Sequence, residues 1–356
     1  VNSPASSSAL EAIEEIGAPV SVRIDELLVA EIERWSLLDP SIAEPLLSLR
    51  RLVAAGGKRL RPAFAYWAFV AAGGKRQDPA MVEIGAALEL LHSFALVHDD
   101  VMDDSLQRRG SDAVHVEFLK RHATAQWKGE HRRFGEGVAI LVGDMAFVYA
   151  DRLMGTANPE VRNLFTEMRV ELNVGQFLDV SATVRSDVSE KMSNTIARYK
   201  SGKYTVERPM HLGAAMAGQF DELQAAFTGY GIPVGEAFQF RDDILGAFGD
   251  AAITGKPVGG DLIEGKPTAL LAMARETATG AAKNLLEDRY GALDITTDEV
   301  RQLQEVLVET GARKRLDERI DRLVEEGLGA LDSADIESDA KLRLTDLAYF
   351  VAGREH

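Results

Sequence analysis

From Pro79 the chain reads PAMVEIGAALELLHSFALVHDDVMDD, an apolar helical run that ends in aspartates. A helix this apolar must be buried, yet its last turns carry carboxylates, so the fold has to bring a core helix to a polar cavity. Asp99 and Asp103 are one turn apart and point the same way on a helix. Two like charges at that spacing weaken a helix by a few tenths of a kcal/mol, roughly, and a hard divalent cation such as Mg²⁺ offsets this with oxygen ligands. Arg108 and Arg109 follow at once and suit bidentate capture of phosphate oxygens. The cluster alone reads equally well as a solvated helix end. Leu90, Leu91, Phe94, Leu96 and Val97 just before it favour a buried site.

A second pair, Asp242 and Asp243, ends another apolar helical stretch. Two such pairs on separate helices of a bundle can hold several metals around one polyphosphate. The formal net charge of −16 disfavours a nucleic-acid role and means that anionic substrates need local cations or metal. With no cysteine, disulfides and thiolate metal sites are out of reach. With neither a long uncharged apolar run nor a visible signal peptide, the expectation is a cytoplasmic protein without stable membrane insertion.

Residues 1–18, rich in Ser and Ala, are expected to be flexible, and residues 19–356 to form one domain. Helical periodicity starts near Val20, and a second helix ends at Gly56 and Gly57. Lys58, Arg59 and Arg61 precede Pro62, which suits a first helical turn; the group reads as an anion site or as a surface charge cluster. His92 shares the Asp99 stripe with Leu88 and Ala95, and is either a core histidine or a substrate contact. Ser105 to Glu136 reads as a short helix and a mobile loop. Gln176 and Asp179, beside core, need partners. Gly202 and Pro209 predict an interrupted helix that aims Lys203 into a cavity. GDAAITGKP is a poor P-loop, with five residues between its glycines and Pro257 where Ser or Thr is needed. No strand alternation and no internal repeat is visible, so the fold is expected to be all-α.

The two acidic motifs, with GGKRLRP (Gly56 to Pro62), ELLHSFALVHDD (Glu89 to Asp100), GQFLD (Gly175 to Asp179) and GKP…EGKPT (Gly255 to Thr268), resemble the trans-isoprenyl diphosphate synthases. Among them the chain looks most like a bacterial short-chain geranylgeranyl diphosphate synthase. The resemblance implies a single-domain helical bundle around a deep central cavity and a homodimer. It also implies condensation of isopentenyl diphosphate with an allylic diphosphate, through metal-assisted ionisation of the allylic C–O bond. By the same resemblance Asp99, Asp100, Asp103, Asp242 and Asp243 hold Mg²⁺, three ions per site. Arg108, Lys203, Gln239, Lys256 and Lys266 contact the allylic diphosphate. Gly57, Lys58, Arg61, His92 and Arg109 hold isopentenyl diphosphate. Asp99, Asp103, Arg108, Lys203, Asp242 and Lys256 carry the catalysis. Leu88, Leu91, Phe94 and Ala95 set product length, with the aromatic at Phe94 pointing to a twenty-carbon product and a farnesyl product as runner-up. Two departures stand out. Gly246 replaces the third acid of the second motif, so that an aspartate there is expected to be tolerated, and Tyr204 stands where a threonine is usual. A class I terpene cyclase would not need the Gly57–Lys58–Arg61 and Arg109 cations, and a regulatory subunit should have lost one of the clusters.

Overall fold

The computed structural model describes residues 4–185, 189–249 and 258–353. It is helical almost throughout, as expected. The helices are α1 (Pro4–Ser36), α2 (Ala43–Ala54), α3 (Leu60–Ala71), α4 (Pro79–Met102), α5 (Val114–Thr124), α6 (His131–Met154), α7 (Pro159–Arg185), α8 (Glu190–Ile196), α9 (Arg208–Met216) and α10 (Phe220–Phe248). After them come α11 (Gly260–Glu264), α12 (Ala269–Thr277), α13 (Gly280–Asp288), α14 (Thr297–Glu309), α15 (Ala312–Asp332) and α16 (Ser338–Ala352). Between α8 and α9 residues Ala197–Glu207 wind as a π-helix. The break expected at Gly202 is therefore a widening of the helix, and Pro209 sits harmlessly in the first turn of α9.

The contacts group the chain into two compact units. An amino-terminal unit comprises Leu10–Tyr66 and Lys75–Arg162; a carboxy-terminal unit comprises Val1–Ala9, Trp67–Gly74 and Asn163–His356. Three of the four divisions fall inside α1, α3 and α7, and the fourth, after Gly74, lies between α3 and α4.

The amino-terminal unit is built on α4. Asp78 caps its start by accepting from the Ala80 N–H, and Pro79 takes the first turn. Leu88, Leu90 and Leu91 are fully buried, and α4 packs on α2, α5 and α6. By length and composition α4 could cross a bilayer, but most of it is buried as the core helix of this unit. The expectation of a flexible start is corrected. Ala9, Ala12, Ile13 and Ile16 are buried along α1, at spacings that make one helical face, so burial outweighs the disorder suggested by the Ser/Ala composition. Glu130 caps α6 by accepting from the Arg132 and Arg133 N–H groups, so this helix begins inside the stretch expected to be a loop.

In the carboxy-terminal unit α10 packs on α9, α15, α16 and the π-helix. The π-helix and α10 touch at backbone level: a Cβ on Gly235 would lie 2.6 Å from the Gly202 Cα.

Candidate functional site

The amino-terminal unit brings its acids and bases together at the end of α4. Asp103 is the C-cap and donates its N–H to the Asp99 carbonyl at 2.8 Å. Asp99 and Asp103 are half-buried, whereas Asp100 is only 2% exposed. Asp100 accepts from the Arg108 Nε at 2.9 Å and from its Nη2, and Asp99 lies 3.8 Å from the same guanidinium.

Arg108 returns to the helix because of a two-residue hairpin, the one strand pairing among the described residues. Gln107 pairs with Asp112 and Arg108 with Ser111. Its turn residues Arg109 and Gly110 have φ of 53° and 74°, the left-handed pair that a tight hairpin requires. No alternation announces so short a ribbon, which is why the sequence showed only a loop. Burial works against the charge of Arg108, but Asp100, Asp99 and Asp103 outweigh it and hold the guanidinium charged more firmly.

The expected isopentenyl diphosphate residues form a cation-rich pocket wall. His92 is pushed well below its ordinary range, first by burial and then by Arg61, Arg109, Arg108 and Arg59, so the imidazole is neutral among four guanidiniums. Arg61 is 8% exposed, and Lys58 is exposed. At Gly57 (φ 154°) a Cβ would stand 2.7 Å from the Arg109 Nη2, so a side chain there would push that guanidinium aside. Burial, with the neighbouring arginines, also lowers Arg109.

In the carboxy-terminal unit Asp243 is buried and accepts from the Gln239 Nε2 at 2.8 Å. Burial first, then Asp261 and Asp242, push its carboxyl up to about 8, so it is protonated at neutral pH. Asp242 is half-buried. Asp261, on α11, was not singled out from the sequence. A Cβ at Gly246 would stand 2.0 Å from its Oδ2, so the Asp261 carboxylate fills the space at the missing third acid. Lys266 donates its backbone N–H to the Asp261 carbonyl at 3.0 Å, and its Nζ lies 3.0 Å from Glu264. Lys256 and Asp250 lie outside the described residues.

Lys203, expected to point into a cavity, is held by acidic side chains in this structure. Its ammonium bonds Glu171, lies 3.5 Å from Glu207 and stands over the Tyr199 ring. Arg208 joins the same carboxylate through two nitrogens. The π-helix turns Lys203 toward Glu171 and Glu207, beside Arg208. The lysine on the GQFLD acid is Lys200, whose Nζ meets the Asp179 Oδ2 at 2.5 Å. The signal that could have found Lys200 was the unexplained burial of Asp179 itself. Tyr204 is buried at 3% exposure.

Of the expected length-setting residues, Leu88 and Leu91 are fully buried and Ala95 is half-buried. The Phe94 ring meets His98 at 4.6 Å and Phe147 of α6 at 4.9 Å.

The donors offered to a cation are carboxylate oxygens, which suit hard ions. Among the described residues no three acidic or histidine side chains converge as a ready-made cage. Such a donor set fits Mg²⁺, which keeps waters and joins one or two carboxylates to substrate phosphates.

A family model described as Polyprenyl synthetase matches residues 45–307. The chain belongs to the polyprenyl synthetase family. It is a prenyltransferase of isoprenoid biosynthesis. A short chain isoprenyl diphosphate synthase of Methanothermobacter thermautotrophicus is 34% identical, over 91% of this chain and 94% of its own length. A geranylfarnesyl diphosphate synthase of Aeropyrum pernix is 30% identical, over 82% of this chain and 89% of its own. Among solved structures, the geranylgeranyl pyrophosphate synthase of Corynebacterium glutamicum, complexed with isoprenyl diphosphate and magnesium, superposes with a TM-score of 0.87. It is 34% identical, covering 94% of this chain and 99% of that one.

Proposed function

We propose that this prenyltransferase condenses isopentenyl diphosphate with allylic diphosphates and releases mainly geranylgeranyl diphosphate. The observation that carries the reading is the end of α4. An acid pair suited to a metal-bridged diphosphate and two guanidiniums, Arg61 and Arg109, suited to a metal-free one lie within a few turns of each other. Two diphosphates with different counter-charges are what a condensation of this kind needs, and a cyclase needs only one.

Asp99, Asp103 and Asp242, joined by Asp261, would hold Mg²⁺, with three ions per site. Bound Mg²⁺ neutralises the charge that builds on the departing diphosphate. Asp100 and Asp243 then serve as inner supports, Asp100 for Arg108 and Asp243 for Gln239. Arg108, Lys203, Gln239, Lys256 and Lys266 would bind the allylic diphosphate. Gly57, Lys58, Arg61, His92 and Arg109 would bind isopentenyl diphosphate, whose double bond attacks the allylic cation before a proton is lost. The pocket must exclude water at that moment, because water would quench the cation.

The growing tail would run along α4 toward its N-terminus in a deep cavity, with Phe94 as floor. The Corynebacterium structure named for geranylgeranyl pyrophosphate supports twenty carbons. The Aeropyrum relative favours a second reading one unit longer. The α6 face at Ile140, Leu141 and Val148 is exposed and apolar, which supports a homodimer. Incubating the protein with labelled isopentenyl diphosphate and each allylic starter, then separating the dephosphorylated products, tests the proposal. Linear twenty-carbon alcohol is expected; cyclised hydrocarbon, or no elongation, would sink it.

A further inference from the structure

We propose that Arg59 is a positioning residue that fixes the Gly56–Gly57–Lys58 loop for isopentenyl diphosphate without touching it; this rests on the reading of the basic cluster given above. Arg59 stands immediately before α3 with φ of 45°, a left-handed conformation that costs a non-glycine residue of order 1 kcal/mol. What holds it there is its side chain. Nη1 donates to the Glu89 Oε2 at 2.7 Å, Nη2 to the Val53 carbonyl at 2.9 Å and Nε to the Ser21 Oγ at 3.2 Å. The ion pair with Glu89 is buried on both sides, at 9% and 3% exposure. Each of the three guanidinium nitrogens already has a protein partner, and the side chain is only 9% exposed, so it is held within the protein rather than presented to a ligand.

The loop is therefore tied at both ends. Val53, in the last turn of α2, and Arg59, at the entry to α3, are joined across it. Arg109 repeats the device one carbonyl earlier, donating its Nη1 to the Leu52 carbonyl at 2.8 Å. Two guanidiniums thus satisfy carbonyls that the end of α2 would otherwise leave open, and they sit at the negative end of that helix. The missing Cβ of Gly57 fits between them, 2.7 Å from the Arg109 Nη2 and 3.2 Å from the Arg59 Nη1. A cavity of about 360 Å³, lined by Gly17, Ser21, Asp25, Gly56, Gly57 and Arg59, lies against the same loop, so an untied loop has space to move into.

The test compares Arg59→Gln, Arg59→Lys and Arg61→Ala by titration calorimetry with isopentenyl diphosphate alone, by steady-state kinetics and by amide exchange at Gly57 and Lys58. Arg59→Gln should weaken isopentenyl diphosphate binding roughly tenfold, consistent with misplacement of a binding group. It should leave KM for the allylic substrate within about twofold and speed exchange of the loop amides. Arg59→Lys should not rescue, because one ammonium cannot reach three acceptors set for a planar fork. If Arg59→Gln does not fold, Ser21→Ala removes a single tie and should give a smaller change in the same direction. Unchanged affinity and exchange in a folded Arg59→Gln protein, or equal losses for both substrates, would overturn the proposal. If Arg61→Ala also leaves affinity unchanged, the pocket reading falls and takes this proposal with it. If Arg61→Ala weakens binding while Arg59→Gln does not, only the positioning role falls.

Discussion

The two Asp–Asp pairs look alike in sequence and are prepared differently. At the end of α4 the inner acid, Asp100, meets a guanidinium that a hairpin delivers to it. On α10 the inner acid, Asp243, meets neutral donors, the Gln239 amide and the Ala269 backbone, while Asp242 and Asp261 crowd it with like charge. In the first cluster a guanidinium is bonded to the inner acid. In the second, burial and crowding put a proton on the inner acid instead. The same dipeptide therefore gives one inner acid held as an ion pair and one held as a neutral acid.

The largest expected effect tests whether both clusters share the chemistry. Asp99→Ala and Asp242→Ala should each lower turnover by about 10²-fold or more, the scale of a lost transition-state charge contact. Near-normal turnover in either would remove that cluster from the metal assignment. The contrast itself is sharpened by the inner acids. Asp100→Asn orphans Arg108 and should cost about 3 kcal/mol in urea unfolding of the metal-free protein. Asp243→Asn replaces a group already uncharged and should stay within about 1 kcal/mol. Equal losses would erase the difference drawn here.

Next comes Gly246. An aspartate there was expected to be tolerated, but its Cβ would stand 2.0 Å from the Asp261 Oδ2. Gly246→Asp should cost about 1–3 kcal/mol, as overpacking does, and Asp261→Gly should restore much of it. A double variant no more stable than Gly246→Asp would show that Asp261 is not the obstacle. Smaller again, Lys58→Ala and Arg61→Ala should raise KM for isopentenyl diphosphate, and Lys203→Ala that for the allylic substrate, each by roughly tenfold; no such division would merge the two pockets. Phe94→Ala should change turnover least and lengthen the product by one unit. An unchanged product distribution would move the floor to Leu91 or Leu88.

Much of this was legible in the residues. The apolar period before Asp99, the capping Asp78–Pro79 start and the absence of alternation determine α4 and the all-α class. The cationic residues around His92 were each visible as charge beside a helix end. What stayed hidden depended on contacts between distant segments. Asp261 stands in for the acid that Gly246 lacks, yet it comes from a different helix with no spacing to announce it. Lys203 and Lys200 are equally plausible on a linear reading. Only the winding of the π-helix decides that one meets Glu171 and the other Asp179. The start of α1 was misread because composition was weighed above its buried face of Ala9, Ala12, Ile13 and Ile16.

The backbone contact between Gly202 and Gly235 has a consequence for how this enzyme tolerates change. Each glycine occupies the place where the other's first side-chain carbon would go. A single methyl at Gly235 would act as a wedge under the π-helix, tilting Lys200 on one side and Glu207 on the other. Neither glycine carries charge or meets a phosphate, so a search confined to polar residues would pass over both. A mutational library that spares the aspartates and lysines but varies these two positions should still contain inactive members.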